Sequence, residues 1–258
     1  MDTIQSRRTG VVTHALLLVS VGAVCLFPLI SGSEKLSPGE DNLFEAANLA
    51  YESNDFAGAA EKYKQVRDAG IDSGEVLYNL GNCYFRMGRA GMAMVYYERA
   101  RKFIPRNRNL LANIVLTESR AVDKITPLKV WVVARKLFFW HHRLTAREIA
   151  LIFIAANAAF WASVATLAIA RNRFVRIAVV LMGIILVLSG VSYTLSEIES
   201  RGLGTAVVVA DEAAVQTGPG NYAVTFKLHD GTRLKLVDSR EGWYQIRLAD
   251  GKRGWIEA

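Results

Sequence analysis

Two cysteines and four histidines in 258 residues leave little from which to build reactive chemistry. Cys25 lies in an apolar N-terminal run and Cys83 lies within a helical pattern. They cannot hold a metal at ligand spacing, and a mutual disulfide would require Cys25 to leave the membrane. Cys83 reads as a small buried apolar residue. Val24 precedes Cys25 where a lipoprotein signal carries a small residue. A cysteine hydrolase needs its thiol beside a histidine, yet His14, His141, His142 and His229 all lie in other segments than Cys83. His141 and His142 are adjacent, so on a helix they point about 100° apart and do not form an i, i+4 metal pair. No nucleophile-elbow motif is present, and GLGT at Gly202 precedes a strand pattern, which makes it no phosphate loop. The expectation is a chain with no catalytic residues, no metal and no cofactor. Nucleic-acid binding is not expected either, because aromatics and charges never interleave as on a base-stacking surface. The net charge of +7 suits residues that flank membrane spans.

What the chain has instead is apolar surface, 52% of its residues, concentrated in three runs. The first comes after Arg7 and Arg8 and ends at Ile30 before SGS. A basic head, an apolar body and a small-residue end describe a secretory signal, and the body is also long enough to stay as an anchor. Residues 1–33 are therefore a signal peptide or N-terminal anchor, and both readings export the chain beyond Ser33. Ile149–Ala170 and Phe174–Leu195 are each long enough to span a bilayer, with only Arg171, Asn172 and Arg173 between them. Residues 148–196 thus form a transmembrane hairpin, whose basic turn is expected in the cytoplasm. Ala155, Ala159 and Ala162 on the first span, and Gly183 and Gly190 on the second, are the expected close-packing faces.

Between the first run and the hairpin, a pattern repeats. LFEAANLAYESNDFAGAAEKYKQV from Leu43 aligns with LYNLGNCYFRMGRAGMAMVYYERA from Leu77, so that Leu43, Ala59 and Tyr63 meet Leu77, Ala93 and Tyr97, each pair 34 apart. A 34-residue helix–turn–helix period resembles the tetratricopeptide family. The second copy places Leu77, Leu80, Gly81, Tyr84, Gly88, Ala93, Tyr97, Ala100 and Pro105 at signature positions, while the first has Ala47 for the glycine and Ala50 for the tyrosine. Residues 41–123 are read as repeats at 41–73 and 74–106 with a closing helix whose Leu110, Leu111, Ile114 and Val115 face back onto the second repeat. Two repeats and a cap make a short solenoid, and a membrane or a partner is expected to supply the missing burial. Over 124–147, Trp131, Phe138, Phe139 and Trp140 mix with Lys129, Lys136 and Arg143. The reading is an amphipathic helix in the membrane interface, the alternative a helix packed on the repeats.

The last segment, 203–258, shows short alternating strands separated by the turn tripeptides HDG, REG and ADG. Val207 to Val209, Val215, Gly218, Pro219, Gly231, Thr232, Gly242, Trp243, Gly254, Trp255 and Ile256 resemble the bacterial SH3 family, which implies a small all-β SH3-like barrel. The fold class is thus a multidomain membrane protein: an α-helical repeat solenoid, a helical transmembrane hairpin and a C-terminal SH3-like barrel.

In tetratricopeptide proteins the first helix of each repeat lines a groove for peptides or proteins. By helical spacing, Phe44, Asn48, Tyr51 and Glu52 project there from the first repeat, and Tyr78, Asn79, Asn82, Phe85 and Arg86 from the second. Asn48 and Asn79 fall where the family clamps a C-terminal carboxylate, but Phe44 takes the lysine position and Asn109 and Asn113 replace basic residues. An extended segment bound through its backbone fits this set better. Arg99, Arg101, Lys102, Arg106 and Arg108 form a basic run that either complements a helix dipole or docks an acidic partner. In the SH3-like module Tyr222 is the candidate exposed contact, while Trp243 and Trp255 are expected in the core.

The order of signal, repeats, interfacial helix, hairpin and SH3-like module resembles the BatE-type proteins of bacterial aerotolerance (Bat) operons. That resemblance implies an envelope protein working with other Bat-type membrane proteins. The expected function is a non-catalytic inner-membrane scaffold with its repeats and SH3-like domain in the periplasm. The alternative is an envelope sensor whose SH3-like domain binds peptidoglycan while the repeats recruit a protein.

Overall fold

Tyrosines set against glycine and alanine decide how the helices approach one another. The computed structural model describes residues 38–258 except 70–72, 130–131, 134–135, 137, 171, 202–203 and 221. The expected signal or anchor at 1–33 lies outside the described residues. Helices α1 (Pro38–Glu52) and α2 (Phe56–Asp68) form one pair, α3 (Gly74–Arg86) and α4 (Ala90–Phe103) a second, and α5 (Arg108–Arg120) is half of a third. Asp55, Ser73 and Asn107 cap α2, α3 and α5 by accepting from Gly58, Val76 and Leu110 amides that the first turn leaves open. Asn54 (φ 65°) and Gly88 (φ 77°) make the left-handed turn inside each pair. A Cβ at Gly81 would lie 2.4 Å from ring carbons of the fully buried Tyr97, so only glycine lets α3 and α4 meet here. Ala47 takes the same place in the first repeat and is fully buried.

The closing helix differs from expectation in its facing. Leu110, Ile114 and Thr117, at i, i+4 and i+7, are buried, whereas Leu111 and Val115 lie one position round the helix and are exposed.

Six antiparallel strands form the C-terminal domain: β1 (Thr205–Val207), β2 (Glu212–Gln216), β3 (Val224–His229), β4 (Arg233–Arg240), β5 (Trp243–Arg247) and β6 (Arg253–Glu257). They pair in the order β1-β4-β5-β6-β2-β3. No strand pairing among the described residues joins the edges β1 and β3, so the expected SH3-like barrel is observed as a single sheet. Val208, Val215, Leu228, Leu234, Ile246 and Leu248 form its core. Gly231, Gly242 and Gly251 have φ of 87°, 83° and 95°, as the three turn tripeptides require.

This sheet packs on the end of the solenoid. Val207 of β1 rests against the helical core, and the β3–β4 turn sits beside the start of α4 and the end of α5. Asp230 Oδ2 accepts the Gly91 amide at 2.9 Å. Arg233 reaches Glu98 at 2.5 Å and also Glu118. Asp123, just past α5, accepts from the His229 amide (2.7 Å) and the Thr232 hydroxyl (2.6 Å), and pairs with the His229 ring at 2.9 Å. In a longer solenoid the second helix of a third repeat would cover α4 and α5 at this place. The β domain covers them instead.

Residues 121–123, at the end of the expected closing helix, and 124–128, at the start of the expected interfacial helix, are not helical. Ile125 packs on the β core and the Leu128 amide donates to the Ala249 carbonyl at 3.1 Å. Pro127 lacks a donor and disfavours helix at Thr126, which leaves Ile125 and Leu128 to contact the β domain from irregular backbone. Lys129, Val132, Val133 and Lys136 are helical, and turns begin at Phe138.

The remaining unit holds α6 (Ala146–Ile169) and α7 (Arg173–Arg201), both long and apolar enough to cross a bilayer. Leu151, Ile177, Val180, Ile184 and Val187 are among their exposed side chains, which water would not tolerate on this scale. Gly183 and Gly190 do face the partner helix, under the rings of Phe160 and Phe153. The expected alanine face does not, because Ala155, Ala159 and Ala162 are exposed. Phenylalanine against glycine fills this seam, with Phe153 also stacked on Tyr193 at 5.4 Å.

This packing has two measurable outcomes. Gly81→Ala should lower stability by about 1–3 kcal/mol through overpacking against Tyr97, read from thermal unfolding of the purified protein. Burial alone would raise the Asp123 pKa, but the Thr232 hydroxyl and the His229 ring and amide together hold it below its ordinary 3.8. A depressed carboxylate stabilises at pH above the unfolded value and loses that contribution as pH falls through the folded one. Asp123→Asn should therefore cost about 1–3 kcal/mol at neutral pH, and its deficit relative to the native chain should shrink below pH 3.8.

Candidate functional site

The inner faces of α1, α3 and α5 carry a motif that the 34-residue period generates twice. Asn48, Tyr63 and Asn79 form the first set, and Asn82, Tyr97 and Asn113 the second. The Tyr63 hydroxyl donates to Asn48 Oδ1 at 2.5 Å and accepts from Asn79 Nδ2 at 3.2 Å. The Tyr97 hydroxyl donates to Asn82 Oδ1 at 2.8 Å and accepts from Asn113 Nδ2 at 3.5 Å. Asn113 Nδ2 also donates to Asn82 Oδ1 (2.9 Å) and to the Tyr78 hydroxyl (3.3 Å). Each tyrosine comes from the second helix of a repeat and joins the first helices of that repeat and the next. Burial pushes the Tyr63 hydroxyl up to about 12 and raises that of Tyr97 as well, so both stay protonated and can donate.

These bonds fix which end of each amide is spent. Asn48 and Asn82 turn their carbonyls to a tyrosine, which leaves their NH2 groups on the far side. Asn79 and Asn113 turn their NH2 groups inward and leave their carbonyls. All four side chains are half-buried. Across α1, α3 and α5 the groove therefore offers donor, acceptor, donor and acceptor.

Aromatic residues surround this row. Phe44 meets Tyr63 edge-on at 5.7 Å, Tyr51 meets Phe56 at 5.2 Å, and Tyr78 lies 6.1 Å from Tyr97. The Arg86 guanidinium lies over Phe56 at 4.4 Å and that of Arg120 over Phe85 at 4.5 Å. The eight expected repeat residues, Phe44, Asn48, Tyr51, Tyr78, Asn79, Asn82, Phe85 and Arg86, thus share one surface. Asn113, expected at the next repeat, belongs with them, and so do Tyr63, Tyr97 and Arg120, which are not among the expected site residues. The period is the signal that could have found Arg120, since 120 is 86 advanced by one repeat.

Tyr222 is not part of this surface. It is exposed in the β2–β3 loop, at the opposite end of β3 from the docked turn. Nearby, Pro219, Gly220, Arg240, Glu241 and Trp243 line an open cavity of about 470 Å³. Arg240 is held by Asp238 at 3.0 Å and lies over the Trp255 ring at 5.4 Å. Trp255 is buried as expected, whereas Trp243 is half-exposed at the cavity wall. Of the basic run, Arg101 pairs with Glu98 at 2.7 Å and Arg99 lies over Tyr96 at 6.0 Å. Burial pushes the Cys83 thiol up to about 12, which removes the thiolate a nucleophile needs at neutral pH.

Known proteins match parts of this architecture. The tetratricopeptide repeat family matches residues 74–107, and the bacterial SH3 domain family matches residues 211–258. The chain is 37% identical over 54 residues to YrvJ of Bacillus subtilis (strain 168), whose name describes an N-acetylmuramoyl-L-alanine amidase. That similarity takes in 20% of this chain and 10% of YrvJ, so the chain spans about a tenth of that relative's length.

Tyr97→Phe should cost about 1–2 kcal/mol in denaturant unfolding, because it strips Asn82 and Asn113 of a shared partner. Combined with Asn113→Ala, the two losses should fall short of additive by at least about 0.5 kcal/mol in a double-mutant cycle.

Proposed function

We propose that this protein is a non-catalytic, membrane-anchored scaffold that binds a protein partner in the repeat groove. The observation that carries the reading is the joining of groove and β domain into one body by Asp123 and Arg233. The repeats lead into α6 and the β domain follows α7, so a two-span hairpin would return both to one side of the membrane, a topology that their mutual packing supports. An exported N-terminus makes that side the periplasmic face of a bacterial inner membrane. The module order supports a place among Bat-type aerotolerance complexes, with other Bat-type membrane proteins as partners.

The free end of the β domain favours a second reading. Docking uses β1 and the β3–β4 turn, and leaves Tyr222, Trp243 and the adjacent cavity accessible. Similarity to a protein named as a muramoyl amidase supports peptidoglycan as the ligand there, with the chain acting as an envelope sensor.

Photoreactive benzoylphenylalanine introduced at Tyr51 or Phe85 in intact membranes should yield protein adducts, and at the outward-facing Leu111 should not. Adducts from Leu111 alone would remove the groove from the proposal. Retention of the full chain on purified murein, lost in Tyr222→Ala with Trp243→Ala, would establish the sensor reading.

A further inference from the structure

The groove ends in a charge feature that the scaffold reading does not use. Arg86 and Arg120 are exposed and stand one repeat apart, at the C-terminal ends of α3 and α5. Each guanidinium lies on a phenyl ring from a neighbouring helix, 4.4 Å over Phe56 and 4.5 Å over Phe85. Both stacks involve the last turn of α3, which supplies Arg86 to one and Phe85 to the other. Among the described residues no ion pair is formed by either; Arg86 makes a long 3.4 Å hydrogen bond to Asn54 Oδ1. By contrast Arg67, Arg101, Arg233 and Arg240 all pair with carboxylates. Stacking on a ring satisfies one face of a guanidinium and holds it in place while its N–H edge stays available.

Beside these arginines lies the row of fixed amides, Asn48 and Asn82 presenting donors, Asn79 and Asn113 presenting acceptors. An extended peptide backbone offers carbonyls and amides in alternation and matches such a row without any charge. We propose that the groove takes an extended peptide segment bearing an acidic side chain, with the asparagines engaging its backbone and Arg86 or Arg120 its carboxylate. This rests on the groove reading and adds the chemistry of the ligand. It differs from capture of a chain terminus, because Phe44 supplies no charge at the α1 side of the groove.

The test uses the full chain in lipid nanodiscs and three pools of random octapeptides whose fourth residue is fixed as Glu, Gln or Lys. The Glu pool should be retained about tenfold more than the Gln pool, and the Lys pool least, as expected for charge-assisted hydrogen bonds near a surface. Arg86→Gln with Arg120→Gln should remove the preference, so that the variant retains the Glu and Gln pools equally. Arg86→Lys with Arg120→Lys, which keeps the charge, should retain part of the preference. Equal retention of Glu and Gln pools by the native chain, with both lost in Asn79→Ala, would overturn the acidic specificity and leave the groove reading standing. Failure to retain any pool would overturn both.

Discussion

The end of a helical solenoid is an unfinished surface, and the placement of everything else on this side of the chain depends on how it is finished. Here the β domain finishes it, through one carboxylate and one guanidinium that each bridge between layers. Asp123 gathers an amide, an imidazole and a hydroxyl from a single turn of the β domain. Arg233 is gripped by acids from two helices. The glutamates and the aspartate come from the helical side and the arginine from the sheet, so opposite charges meet and fix the register of the two surfaces. Apolar contact from Val207 and Ile125 flanks them. Polar groups in partly buried positions gain most when all are satisfied together, and this set is.

The tyrosine–asparagine sets do similar work within the solenoid. A tyrosine that only filled space would leave the first helices of successive repeats free to rotate. With its hydroxyl shared between them, their spacing and the orientation of the amides become one property. The polar row at the groove surface is thus a product of the core beneath it. Fold and recognition chemistry are set by the same side chains.

Much of this is legible in the sequence because the relevant contacts recur at fixed spacing. Gly81 against Tyr97, the turns at Asn54 and Gly88, and the strand–turn alternation after Gly204 are local, and local pattern encodes them. The docking is not legible: Asp123 and His229 are 106 residues apart, with both spans between them. A lone aspartate after a helix carries no mark of its partner. The absence of helix over 124–128 has the same origin, since Ile125 and Leu128 are drawn to a sheet that lies far along the chain. On α5 the difference is one position in a 100° rotation, where Leu111 and Val115 look as apolar as Leu110 and Ile114. In the hairpin, alanines suggest a close seam, and the bulk of Phe153 and Phe160 takes the space opposite the glycines instead.

Because the repeats lead into one span and the sheet emerges from the other, their mutual grip converts a linear chain into a ring, half covalent and half not. Rings of this kind resist separation for an entropic reason: a severed contact leaves its two halves tethered at high local concentration, so it re-forms before either drifts away.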